Sequence, residues 1–81
     1  MADIRFIILS PEEKLLDTAV DAVTLPGKVS PFEVLPGHAP IISSLERGTI
    51  TWRTGAEEDS LEIASGFVEV KDNQVVAAVE R

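Results

Sequence analysis

Cysteine is absent from this 81-residue chain, so neither a disulfide framework nor a thiolate metal site can form. Histidine occurs once, at His38. A single imidazole with no clustered thiolate or carboxylate ligands at workable spacing makes no metal site. Positive charge is scarce: 7 Lys and Arg stand against 14 Asp and Glu, for a net charge of −7. That balance repels nucleic acid and disfavours an anionic membrane surface. No apolar run approaches the ~20 residues that a membrane span needs. The opening Met1-Ala2-Asp3-Ile4-Arg5 lacks the charged and apolar regions of a secretory signal. The expectation is a soluble cytosolic chain that meets a membrane only through another protein.

Catalytic and nucleotide-binding signatures are missing too. Ser43 or Ser65 could be set with His38 and an acid on paper, but no nucleophile elbow marks either serine. Pro26-Gly27-Lys28 lacks the spacing of a phosphate-binding loop and opens no helix. No cofactor, metal or nucleotide is expected on this chain, and it does not read as an enzyme.

What is present is one domain of ordinary globular composition, 44% hydrophobic and 26% charged. A chain of this size buries only about 60–65% of its unfolded surface, which leaves it marginal alone and inclined to lean on a partner. Ile4 to Leu9 alternates and is rich in β-formers, with Ile4, Phe6 and Ile8 on one face. Thr49 to Thr54 reads as a strand with Ile50 and Trp52 inward, and Trp52 as a core residue. Gly55 to Asp59 reads as an acidic, solvated turn before a strand resumes at Leu61. Ser65-Gly66 permits a bulge or bend, Phe67 to Lys71 is a strand, and Asp72-Asn73 is a two-residue turn into a closing strand from Gln74 to Glu80. Ile41, Ile42 and Leu45 form a short apolar patch before a turn at Glu46-Arg47-Gly48.

One segment carries conflicting signals. Ser10, Pro11 and Glu13 resemble a helix start, and Leu15, Leu16, Ala19, Val20 and Val23 fall on one helical face. Periodicity alone predicts a helix from Pro11 to Val23. Thr18, Val20, Val23 and Thr24 weaken that reading because β-branched side chains lose freedom in a helix.

The stretch from Phe32 to Pro40, FEVLPGHAP, is the most distinctive. Pro36 fixes φ and Gly37 permits φ > 0, so the pair predicts a type II turn. Leu35 and Ala39 precede prolines and are pushed to extended geometry. A rigid corner results. His38 there is either a surface histidine bonded to nearby backbone or an interface residue. Phe32 either packs into the domain or joins Val29 and Pro31 in a docking patch.

LPGHAP, with Gly27 before it and Ile41-Ile42-Ser43 and Arg47-Gly48-Thr49-Ile50 after it, resembles the N-terminal domain of the epsilon subunit of F-type ATP synthases. The likeness runs through the whole chain, including Ile4 to Ser10, the stretch into Leu25, Ser65-Gly66-Phe67 and Val75 to Val79. It implies an all-β fold: a small two-sheet β-sandwich of short, mostly antiparallel strands over residues 1–81. The alternation in the second half of the chain supports a sandwich independently; the first half rests on the resemblance, which implies a turn at Pro11–Lys14 and then a strand to Leu25.

The resemblance further implies a non-catalytic rotor subunit in the central stalk, coupling c-ring rotation to the gamma subunit. It would lie peripherally on the cytoplasmic side of an energy-transducing membrane, held by protein partners. His38, Ala39, Pro40, Ile41, Ile42 and Ser43 would face gamma. Lys28, Val29, Ser30, Pro31 and Phe32 would face the polar loops of the c-ring, with Pro36 and Gly37 as the structural turn. Relatives usually carry glycine at the positions of Ser30 and Glu33, and a polar residue at that of Pro31. The family's two C-terminal helices are not among the 81 residues, so the inhibitory switch they provide is not expected of this sequence. The competing readings are a free-standing ligand- or peptide-binding sandwich and a small hydrolase dependent on His38.

Overall fold

The computed structural model describes residues 3–81, which form nine strands in two packed sheets. The strands are β1 (Ile4–Leu9), β2 (Lys14–Val20), β3 (Ala22–Leu25), β4 (Phe32–Val34), β5 (Ile41–Leu45), β6 (Gly48–Thr54), β7 (Glu57–Ile63), β8 (Ser65–Lys71) and β9 (Gln74–Glu80). One sheet has the order β2-β1-β9-β8-β5 and the other β4-β3-β6-β7. β1 and β9 run parallel; every other pairing is antiparallel. The expected all-β sandwich of short, mostly antiparallel strands is therefore what the chain forms.

Period-2 alternation builds the interior. Ile4, Phe6 and Ile8 of β1 share the inner face of their sheet with Val68 and Val70 of β8 and Val75, Ala77 and Val79 of β9, and join Val23, Leu25, Val34 and Ile50 of the opposite sheet in one buried cluster. No polar or charged residue among those described is buried with them. Trp52 packs at its margin, with its ring edge-on to Phe6 at 5.4 Å between centroids and 62° between planes. That geometry sets the positive edge of one ring against the negative face of the other.

The contested segment is strand. β2 pairs with β1 from Ile4↔Val20 to Leu9↔Lys14, so the β-branched residues prevail over the helical spacing once a partner strand is available. The apparent helix cap is used differently. Ser10 Oγ accepts from the Glu13 N–H at 3.3 Å and donates to the Glu13 carbonyl at 3.1 Å. The Ser10 N–H donates to the same carbonyl at 2.8 Å, which closes a turn rather than starting a helix. Nor is the strand continuous to Leu25. The chain bends at Asp21 and passes from one sheet to the other. The Asp21 N–H donates to the Arg53 carbonyl at 2.8 Å, and its Oδ2 accepts from the Gly55 N–H at 2.6 Å. Both bonds pin the crossing to the β6–β7 hairpin.

Three smaller expectations change. The acids Glu57, Glu58 and Asp59 belong to strand β7, paired with Thr54, Arg53 and Trp52, and the turn shrinks to Gly55-Ala56. The bend before β8 falls at Ala64, whose N–H donates to the Glu80 carbonyl at 2.7 Å. The Ile41–Leu45 patch is a full strand at the edge of the five-stranded sheet.

Candidate functional site

The corner between β4 and β5 carries the chain from one sheet to the other. Gly37 has φ of 84°, and the His38 N–H donates to the Leu35 carbonyl at 3.1 Å. Pro36-Gly37 is therefore the type II turn that the sequence predicts. A Cβ at Gly37 would meet nothing within 4 Å, so the glycine serves the backbone angle and not space. The turn is held from outside by Asn73, whose Oδ1 accepts from the Gly37 N–H at 2.7 Å.

His38 is half-buried, and its Nδ1 lies 2.7 Å from the Ala39 carbonyl oxygen. A carbonyl only accepts, so Nδ1 carries the proton in this contact and Nε2 is left as an acceptor when the ring is neutral. The His38 ring also lies 6.5 Å from that of Phe32. The corner thus touches the residue that ends the Lys28–Phe32 loop.

Strand alternation divides the six residues assigned to gamma. Ile41 packs against the core opposite buried Val70, and half-buried Ser43 stands opposite buried Val68. Ile42, opposite exposed Glu69, turns outward and is 77% exposed. Ala39 and Pro40 are exposed. The free edge of β5 is covered over part of its length. The Lys28 N–H donates to the Ser44 carbonyl at 2.9 Å, and the Glu46 N–H to the Pro26 carbonyl at 3.0 Å, around a bridge of Gly27 with Leu45. The Ser44 carbonyl therefore faces away from β8. Backbone direction alternates along a strand, so the N–H and C=O of Ile42 also face that open side.

The loop assigned to the c-ring folds back on Gly27. A Cβ there would lie 2.5 Å from the Ser30 carbonyl oxygen and 2.9 Å from the Phe32 ring. Lys28, Val29, Ser30 and Pro31 are exposed, Val29 fully so. Phe32 is half-buried and packs against the core, which favours the sandwich-packing reading of that residue. Ser30 and Glu33, where the resemblance implies glycine, sit without backbone strain, since neither takes a positive φ. The loop and the gamma-assigned strand are joined directly by the Lys28–Ser44 bond near the Leu45 end of β5, while the corner meets the β8–β9 turn at the other end of that strand.

Sequence reasoning missed Phe67, which is 63% exposed and stands opposite Ser44 on the face that displays Ile42. The signal was present: Val68 and Val70 point inward, so Phe67 must point out. It also missed the reach of Asn73 to the corner, for which the sequence holds no signal. Charge is organised elsewhere. Asp17 accepts from Arg5 Nε and Nη2 at 3.1 and 3.0 Å and from Lys14 Nζ at 2.9 Å. These bonds, led by that from Arg5, hold its carboxyl far below the usual carboxylate range. Among the described residues no group of acids and histidine is placed to hold a metal ion, and no helix is long and apolar enough to cross a membrane.

Residues 3–81 match the family described as the β-sandwich domain of the ATP synthase delta/epsilon chain. An ATP synthase epsilon chain from Trichlorobacter lovleyi is 40% identical over 73 residues, covering 90% of this chain and 53% of the relative. One from Dehalococcoides mccartyi is 34% identical over 80 residues, covering 99% of this chain and 57% of the relative. The chain spans about half the length of the curated relatives it matches. A chain in the cryo-EM structure of the Euglena gracilis mitochondrial ATP synthase, OSCP/F1/c-ring in rotational state 1, superposes with a TM-score of 0.93 at 25% identity, over all of this chain and 52% of that one. A chain in the central stalk/c-ring structure of the Tetrahymena thermophila mitochondrial ATP synthase shares the fold, with a TM-score of 0.82 at 15% identity over 98% of this chain and 64% of that one.

Proposed function

This chain belongs to the delta/epsilon chain β-sandwich family of ATP synthase, and from that premise we propose that it is a non-catalytic central-stalk component coupling rotation of the c-ring to the gamma subunit. The observation that carries the reading is the superposition, over its full length, on a chain of a rotary ATP synthase. The task is mechanical. Two close-packed sheets with an apolar interior transmit strain with little compliance.

Gamma docks on the corner and β5. His38, Ala39 and Pro40 supply a rigid rim, and Ile42 supplies the exposed apolar side chain and the unpaired backbone edge beside it. Ile41 and Ser43 shape the strand from within. The c-ring meets Lys28 to Pro31, where a single ammonium and the bare Val29 side chain stand on an exposed loop; Phe32 anchors that loop to the core. The domain lies on the cytoplasmic side of the membrane and is held there by these partners.

The test is a binding titration against the gamma subunit. The parent chain binds, Ile42→Glu weakens binding by tenfold or more, and Ser43→Ala changes it little. A desolvated charge on an interface centre carries a penalty of that order. A parent chain that fails to bind gamma refutes the reading.

A further inference from the structure

Asn73 occupies the second position of the Asp72-Asn73 turn, with φ of 60°. Tolerance of the left-handed region accounts for its place in the turn. It does not account for what the residue touches. The Asn73 carbonyl accepts from the Arg5 N–H at 2.9 Å, which ties the turn to β1. Its side-chain Oδ1 accepts from the N–H of Gly37, 36 residues earlier, at 2.7 Å.

The other hydrogen bonds of the corner are local. The His38 N–H bonds to Leu35, and the His38 ring bonds to Ala39. Such bonds fix the shape of a turn but not its orientation against the sheets. Leu35, Pro36, Gly37, Ala39 and Pro40 are all exposed, so side-chain packing of the corner is confined to half-buried His38, whose ring lies 6.5 Å from that of Phe32. Among the described residues, Asn73 supplies the only hydrogen bond from a distant element into Leu35–Pro40.

We infer that Asn73 is a positioning residue for docking: its carboxamide oxygen locks the Pro36-Gly37 corner onto the β8–β9 turn and so presents His38 to Ile42 in one orientation to gamma. The inference rests on the functional reading above. The contact requires an acceptor, not an amide. Aspartate meets that requirement and also tolerates the left-handed region; glycine removes the acceptor while being the residue this turn position accepts most readily.

That difference separates a positioning role from a structural one. In Asn73→Gly the thermal midpoint stays level or rises, because the turn is improved. Amide exchange at Gly37, followed by NMR on the labelled chain, accelerates roughly threefold to tenfold, the factor that one neutral hydrogen bond supplies. Affinity for gamma falls by a similar factor, and Asn73→Asp restores both. Unchanged Gly37 exchange in Asn73→Gly overturns the inference, as does unchanged gamma affinity. If the parent chain does not bind gamma, the functional reading falls, and the lock is then judged by the Gly37 amide, which needs no partner.

Discussion

Replacing Gly37 with valine tests whether the corner's backbone, and not its side chains, is what docks. The wild-type residue has φ of 84°, where a β-branched residue is strained by on the order of 1–3 kcal/mol. A Cβ at this position meets nothing within 4 Å, so the strain is that of the backbone angle and not of a Cβ pressed against a neighbour. The chain can bear the strain or release it by rotating the Pro36-Gly37 peptide. Release costs the bond from Gly37 to Asn73 and that from His38 to Leu35, each about 0.5–1.5 kcal/mol. The two routes cost about the same, so a large share of the variant molecules carry a rotated corner. Neither route disturbs the buried cluster, to which Leu35–Pro40 contribute no residue. Gly37→Val should therefore lower the unfolding midpoint modestly while weakening gamma by tenfold or more. Gly37→Asn, which tolerates positive φ, should recover most of the affinity. Chemical denaturation and titration against gamma give both quantities. Equal gamma affinity for Gly37→Val and the parent would refute the reasoning, because the corner could then change shape without consequence.

Two further predictions follow from the sandwich itself. A Cβ at Gly66 would sit 2.5 Å from the Ala78 carbonyl oxygen, a backbone atom in the paired β9, so Gly66→Ala should destabilise by about 1–3 kcal/mol and lower the denaturant midpoint. The Asp17 carboxyl is held below its ordinary value by Arg5 and then Lys14. Its contribution to stability is thus fully present above the unfolded-state pKa of about 4 and is lost as pH falls below it. Asp17→Asn should lower the urea midpoint slightly at neutral pH, as expected of an exposed pair, and remove that same small increment from the acid fall, so that parent and variant converge well below about pH 4.

The sequence made some of this architecture legible and obscured the rest for physical reasons. Alternation placed Ile4, Phe6, Ile8 and Ile50 inward, because a half-buried strand writes its burial directly in a period of two; Trp52, read as a core residue, is only partly buried and packs against the core. Asp72-Asn73 and Pro36-Gly37 were readable because few residues tolerate their backbone angles. Residues Pro11 to Val23 were not readable from spacing. Their apolar positions suit a helix, and only a neighbour distant in sequence decides otherwise: β1 offers a ladder from Ile4 to Leu9. The sheet crossing at Asp21 is less visible still, since it depends on a side chain reaching Gly55, 34 residues later.

The same distinction explains the candidate site. A block such as Ile41-Ile42-Ser43 can be assigned to a partner as a unit, but a strand presents alternate residues to opposite sides, so Ile42 alone of the three turns its side chain outward. What limits a docked partner there is the edge itself. An open strand edge invites pairing with any extended chain. Here Pro26 to Lys28 covers the stretch from Ser44 to Glu46, and Pro40, which has no N–H to donate, stands just before the strand begins. Between them the edge is open at Ile42. An edge so short gives little to an indiscriminate strand. It does suit a partner whose shape already fits the fixed corner, because that partner gains the Ile42 side chain and its backbone groups together. Orientation of the corner then decides affinity, and that orientation is held from a turn 36 residues away.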